Sequence, residues 1–113
     1  MLINKQPDIL ANDIVSFRLA NGDEVIGKVV QNSHEDITIT RPIVGRYIAM
    51  GQNAAIGFEP FMISVDEDSK HTFNKKMLSS SVLHTKTEIK NKYIKMTSGL
   101  EVASSIPETG IIK

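Results

Sequence analysis

Hydrophobic and polar residues along this chain change period twice. From Ile14 they alternate: Val15, Phe17 and Leu19 share one face, and Ser16, Arg18 and Ala20 share the other. That is the pattern of a half-buried strand. Asn21-Gly22 interrupts it, a hairpin signal because both residue types tolerate positive φ. The stretch "EVIGKVV" resumes the alternation, with Val25, Gly27 and Val29 on one face. Ile26 and Val30 make its other face apolar as well, which suits a barrel or a subunit contact. Gly27 inside a strand marks a bend, a bulge or a close backbone approach. Residues 31–36 read as a polar turn. Residues 37–40 read as a short strand that Pro42 ends or edges.

The next stretch, residues 44–55, reads as a second hairpin or a long loop punctuated by Gly45 and Gly51. Residues 56–65 read as a strand in which Pro60 marks an edge or bulge. Residues 66–69 form an acidic turn. "HTFNKKML" fits strand and irregular structure equally, and residues 80–87 read as the final strand. Then the period changes. Ile89, Tyr93, Met96 and Leu100 fall at helical spacing and predict a helix over 88–100. Thr85 and Glu88 have capping-box spacing before it, and Gly99 is a stop signal. Lys92 and Lys95 suit its C-terminal half. A leader helix is expected over residues 1–13, with Pro7 in its first turn. Residues 101–113 read as a tail.

Composition narrows the class. The 113 residues favour a single domain, and 41% hydrophobic with 23% charged residues is ordinary for a globular protein. No cysteine is present, so neither disulfides nor thiolate metal sites arise. No apolar run approaches the roughly 20 residues of a membrane helix. The first ten residues lack the basic-then-apolar form of a signal peptide. The expectation is a cytoplasmic protein with no membrane partner. Net charge is zero but unevenly spread: residues 1–68 carry 5 basic and 10 acidic side chains, and residues 69–113 carry 8 basic and 3 acidic. Such a split can steer one copy toward another, or reflect lysines on a solvated helix.

Catalytic signatures are missing. There is no phosphate-binding loop, no dinucleotide fingerprint and no nucleophile elbow. His34, His71 and His84 lack metal-ligand spacing. The acidic groups at residues 35–36 and 66–68 do not match a calcium loop. The expectation is therefore a non-enzyme without a cofactor or a metal. Lys75, Lys76, Lys86, Lys90, Lys92 and Lys95 offer local positive charge of the kind nucleic acid requires.

The segment "FRLANGDEVIGKVVQNSHEDITI" resembles the first sequence motif of the Sm and Sm-like proteins. Gly22 and Gly27 stand at the two glycine places, and Phe17, Leu19, Val25, Val29, Ile37 and Ile39 at the apolar ones. Asn32 and Asp36 lie near the family's loop asparagine and aspartate, with a one-residue shortening. "MLSSSVLHT" is similar to the second motif, but Leu78 stands at its basic position and Ser79 at its glycine. The ending "TEIKNKYIKMTSG" is similar to Sm-like proteins of cyanophages and other marine phages, and that resemblance runs over most of the chain. It implies a mainly β protein: a small, strongly bent five-stranded SH3-like (Sm-like) barrel spanning 14–87, with a short N-terminal helix and a C-terminal helix. It also implies a ring-shaped homo-oligomer joined by edge strands. Single-stranded RNA would bind at Asn32, His34, Asp36, Lys75, Lys76, Ser79 and Ser80. A ring that only assembles, or that binds a phage or host protein without RNA, is the alternative.

Overall fold

The computed structural model describes the backbone of residues 8–105 and the side chains of residues 8–98. Among the described residues, one antiparallel sheet of six strands carries a single C-terminal helix. The strands are β1 (Ile14–Arg18), β2 (Glu24–Asn32), β3 (Asp36–Met50), β4 (Asn53–Pro60), β5 (Lys70–Asn74) and β6 (Leu83–His84). The helix α1 spans Thr87–Ser105. Sheet order is β4-β3-β2-β1-β6, and β5 pairs with β3 beyond β4. A 3-10 turn at Lys75–Met77 carries the chain from the margin at β5 to the margin at β1, where Leu78 bridges Leu19.

The β1–β2 connection is a three-residue loop. The Gly22 amide donates to the Leu19 carbonyl at 2.9 Å, and the Leu19 amide donates to Asp23 O at 2.8 Å. Only Gly22, at φ 96°, enters the left-handed region. This is a type I turn closed by a glycine bulge, so the expected pair of positive-φ residues is reduced to one. Asn21 serves differently: its Oδ1 accepts the Asp23 amide at 2.9 Å and holds the turn.

The sheet has two apolar faces. On one, Val15, Phe17, Val25, Val29, Ile37, Ile39 and Val44 form a buried cluster. Phe73 caps it, its ring centroid 4.9 Å from that of Phe17 in an edge-to-face contact. On the other face, Ile14, Ile26 and Ile43 pack with Tyr93 of α1, flanked by Ile89 and Met96. The apolar second face of β2 therefore meets the protein's own helix at Ile26. Each such buried side chain contributes on the order of 1.5–3 kcal/mol.

The sheet is irregular where β2 and β3 fall out of register. Ile26 pairs with Ile43 but Lys28 pairs with Thr40, so Gly27 faces the two residues Arg41 and Pro42. That is a bulge in β3. Arg41 sits at φ 53°, and beyond it the inward positions switch from odd, Ile37 and Ile39, to even, Val44. A second register shift, between Val29 and Gln31, restores the count on β2. Gly27 is required by close approach. A Cβ there would lie 2.5 Å from Ile39 Cδ1 and 3.1 Å from Ile39 Cβ.

Several expectations change. Residues 8–13 form a turn, not a helix: the Leu10 amide donates to Asp13 Oδ2 at 2.8 Å, and the Asp13 amide returns to Leu10 O at 3.1 Å. Pro7 lies outside the described residues. The short strand at 37–40 is part of a 15-residue strand, because the bulge absorbs Pro42. The ambiguity over 44–55 resolves to a hairpin. The strand expected over 56–65 stops at Pro60, and the final strand is two residues long. Six strands replace five because the segment left ambiguous supplies β5. The helix runs through Gly99 to Ser105. A single glycine costs roughly 1 kcal/mol in a helix and does not by itself stop one. The Thr85 hydroxyl bonds Ser16 Oγ at 2.7 Å, tying the helix start to β1.

Substituting Gly27 with Ala is expected to cost about 1–3 kcal/mol from overpacking against Ile39. Ile39→Val removes the clashing methyl. Urea unfolding of both single variants and the double variant should show the pair less destabilised than the sum.

Candidate functional site

Five of the seven expected site residues gather at one end of the sheet. The turn between β2 and β3 is held by Ser33, whose amide donates to Asp36 O at 2.9 Å and whose Oγ accepts the Asp36 amide at 3.0 Å. His34 is exposed at its tip. Asp36 pairs with Asn74 of β5, which brings the 3-10 turn alongside. Lys75 closes the junction: its Nζ donates to Ser33 O at 2.6 Å and its amide to Glu35 O at 2.8 Å. Asn74 caps the 3-10 turn, with Oδ1 accepting the Lys76 amide at 2.9 Å. The Lys76 side chain is exposed on the same rim. Asn32 faces the leading segment, donating from Nδ2 to Ile9 O at 3.3 Å.

Ser79 and Ser80 are placed elsewhere. They lie along the outer edge of β1, and both hydroxyls bond main chain. Ser79 Oγ donates to Leu19 O at 3.1 Å, and its amide donates to Arg18 O at 2.8 Å. Ser80 Oγ accepts the Arg18 amide at 2.9 Å and donates to Ser81 O at 2.9 Å. The serine run thus supplies edge partners for β1, a local competition such residues enter readily. Among the described residues, no group of three or more His, Cys, Asp or Glu is placed to hold a metal ion, and no helix is long and apolar enough to cross a membrane.

Two grooves flank α1. One, of about 310 Å³, lies between the bulge, β4 and the second half of the helix, with Pro42, Ile43, Phe58, Met62 and Met96 in its walls. The other, of about 450 Å³, lies at the base of the β3–β4 hairpin beside Arg18, Arg46, Tyr47 and Lys86. Its cations are largely matched. Arg46 bonds Glu59 and stands 3.3 Å from Asp23, and these acidic neighbours raise its pKa. Arg18 reaches Glu24 at 3.4 Å and Gly22 O at 2.7 Å.

Beyond this base the hairpin projects with apolar side chains in solvent: Tyr47 is 83% exposed, Met50 60%, Ile48 49% and Ile56 42%. Residues 47–58 contain no charged side chain. That run is the signal in the sequence for a contact surface, and the expected site residues omit it. Exposed apolar residues concentrated in one element are more than the single scattered ones normal on a protein surface.

Tyr93 anchors the opposite side of the bulge. Its hydroxyl donates to Arg41 O at 2.7 Å, with Thr40 O at 3.3 Å. Burial holds its phenol well above the usual tyrosine range, against a smaller opposing effect of Arg41. Arg41 is tied in turn to the acidic turn, its amide donating to Glu67 O at 3.1 Å and its guanidinium 3.6 Å from the Glu67 carboxylate.

Tyr93→Phe removes the hydroxyl donor from the part-buried Arg41 carbonyl and is expected to cost about 1–2 kcal/mol in urea unfolding near neutral pH. A raised folded-state pKa makes the protonated phenol the stabilised form. Its contribution is therefore whole below the unfolded value, roughly 10, and falls as pH rises above it. The gap between wild type and Tyr93→Phe should narrow above about pH 10. Lys75→Ala should let the 33–36 turn open about fivefold more often, equivalent to ~1 kcal/mol, read as faster amide exchange at Ser33 and Asp36. No protein-family model matches this sequence, and no curated protein matches it.

Proposed function

We propose that this chain is an Sm-like assembly module: a small, strongly bent barrel whose copies join through edge strands into a ring that presents single-stranded RNA with a loop-built rim. The observation that carries the reading is the short crossover at Lys75–Met77. It links β5, paired among the described residues only with β3, to the segment beside β1, so the two margins of the sheet are three residues apart along the chain. Among the described residues β5 and β6 are each paired on one side, and an unpaired margin invites a neighbour's strand. Contacts between unlike edges close into rings. The charge split favours the same arrangement, because a basic C-terminal part on one copy meets an acidic N-terminal part on the next.

RNA is the ligand that fits the rim where His34, Lys75 and Lys76 meet. An exposed imidazole offers a stacking surface, and the lysines offer phosphate contacts. The second reading, a ring that assembles without RNA, is favoured by the Ser79 and Ser80 hydroxyls, which are occupied by the β1 backbone. It is favoured also by Leu78 at the motif's basic position.

Light scattering on the purified full chain should give a mass of several copies at micromolar concentration; a monomer there overturns the ring. Fluorescence anisotropy with U-rich and A-rich oligonucleotides should show binding at about 50 mM salt that weakens steeply by about 200 mM. Lys76→Glu should weaken it about tenfold or more. A multimeric mass with no anisotropy change at low salt removes RNA and leaves the assembly reading.

A further inference from the structure

The β3–β4 hairpin carries a second surface, independent of the ring and of RNA. The loop that joins the strands is two residues, Gly51-Gln52, between the paired residues Met50 and Asn53. Gly51 is at φ 66° and Gln52 is not in the left-handed region, as a type II′ turn requires. In such a hairpin the closing pair exchanges hydrogen bonds, and bonded pairs then recur at every second residue. Asn53, Ala55, Gly57 and Glu59 accordingly direct their amides and carbonyls toward β3. The Phe61 amide, which donates to Pro42 O at 3.1 Å, continues that odd-numbered series. Ala54, Ile56 and Phe58 direct theirs away from the sheet. Pro60, the next in the outward series, is the residue with no amide to donate, which is where proline is tolerated in a strand.

β4 is the terminal strand of the sheet order, so among the described residues this outward series faces no strand of its own chain. Proteins ordinarily blunt an exposed edge with charge or proline. In β4 these stand together at one end, Glu59 and Pro60, and residues 47–58 carry no charge. The edge is also self-complementary. With two β4 strands antiparallel and Ile56 opposite Ile56, Ala54 falls opposite Phe58 and Asn53 opposite Glu59. All three outward residues of each copy then fall at hydrogen-bonded positions. Asn53 can donate to Glu59, so no like charges meet, and small Ala54 faces large Phe58.

We propose that the β4 edge is a two-fold self-association surface, which joins two copies of this chain through antiparallel β4 strands with Ile56 on the axis. The contact is isologous, whereas ring formation uses unlike edges. It therefore pairs modules, or whole rings, across a two-fold axis.

Register-specific cross-linking tests it. The native chain has no cysteine, so Ile56→Cys introduces the only thiol. Hydrogen-bonded partners sit about 5.5 Å apart at Cα, within disulfide reach. Mild oxidation of Ile56→Cys at micromolar protein should give a covalent dimer. Asn53→Cys, about 20 Å from its counterpart in this register, should remain largely uncrosslinked. Ile56→Lys places two ammonium groups on the axis and should halve the mass seen by light scattering, with an unchanged circular-dichroism spectrum. Failure of Ile56→Cys to cross-link, equal cross-linking at both positions, or an unaltered mass for Ile56→Lys overturns the proposal. A multimer of the Ile56→Cys variant whose introduced thiols stay reduced leaves the ring intact and removes this surface. Cross-linked Ile56→Cys whose native mass by light scattering is two copies and no more supports this surface and removes the ring.

Discussion

The hydroxyl of Tyr93 on the carbonyl of Arg41 is the contact on which the remaining geometry depends. At that point β3 carries two residues, Arg41 and Pro42, against the single Gly27 of β2. A bulge of this kind leaves main-chain groups outside the ladder, and a carbonyl withdrawn from water needs a donor. The helix supplies the donor. The same bulge turns the alternation of β3 by one residue, so its first half lines one core and its second half serves both. The lack of a Cβ at Gly27 makes the bulge sterically possible; Tyr93 makes it electrostatically acceptable. Glu67 ties the following turn to the same place through the Arg41 amide.

Because the bulge sits there, the long β3 has three different neighbours. Its first half lies between β2 and β5, and its second half between β2 and β4 before it leaves the body of the domain as a hairpin. The rim of loops at one end and the projecting hairpin at the other are thus consequences of one strand. A rim built on Lys75 and Ser33 is held by main-chain contacts across two segments, which keeps exposed polar groups in fixed relation. The hairpin by contrast has apolar side chains in water on both faces, which a folded monomer gains nothing by presenting.

Much of this was legible in the alternation of residues 14–30 and in the helical spacing of Ile89, Tyr93 and Met96. Gly27 was readable as a bend, a bulge or a close approach, and the structure shows the last two; its partner in close contact, Ile39, was not readable. Pro42 misled as a strand end, whereas Pro60, read as an edge, lies on the terminal strand of the sheet order. Proline signals a missing amide donor, but whether that ends a strand depends on whether the amide would have faced a partner. At Pro42 a bulge absorbs it, and at Pro60 the chain leaves the sheet one residue later. Asn32, His34, Asp36, Lys75 and Lys76 come together because β5 lies beside β3. Ser79 and Ser80 part from them because three residues of 3-10 turn move the chain to β1.

Local chemistry determined the strand-forming alternation, the turn at Gly22 and the apolar stripe of the helix, since each depends on neighbours within a few residues. Tertiary structure alone decided which apolar face met the helix. Ile26 reads as a candidate subunit contact in the sequence and is covered by Tyr93 in the fold. It also decided the strand count, because β5 forms only where the edge of β3 offers it hydrogen bonds. Long-range pairing of this kind depends on the ends of distant segments meeting, and no local pattern of polar and apolar residues encodes that meeting.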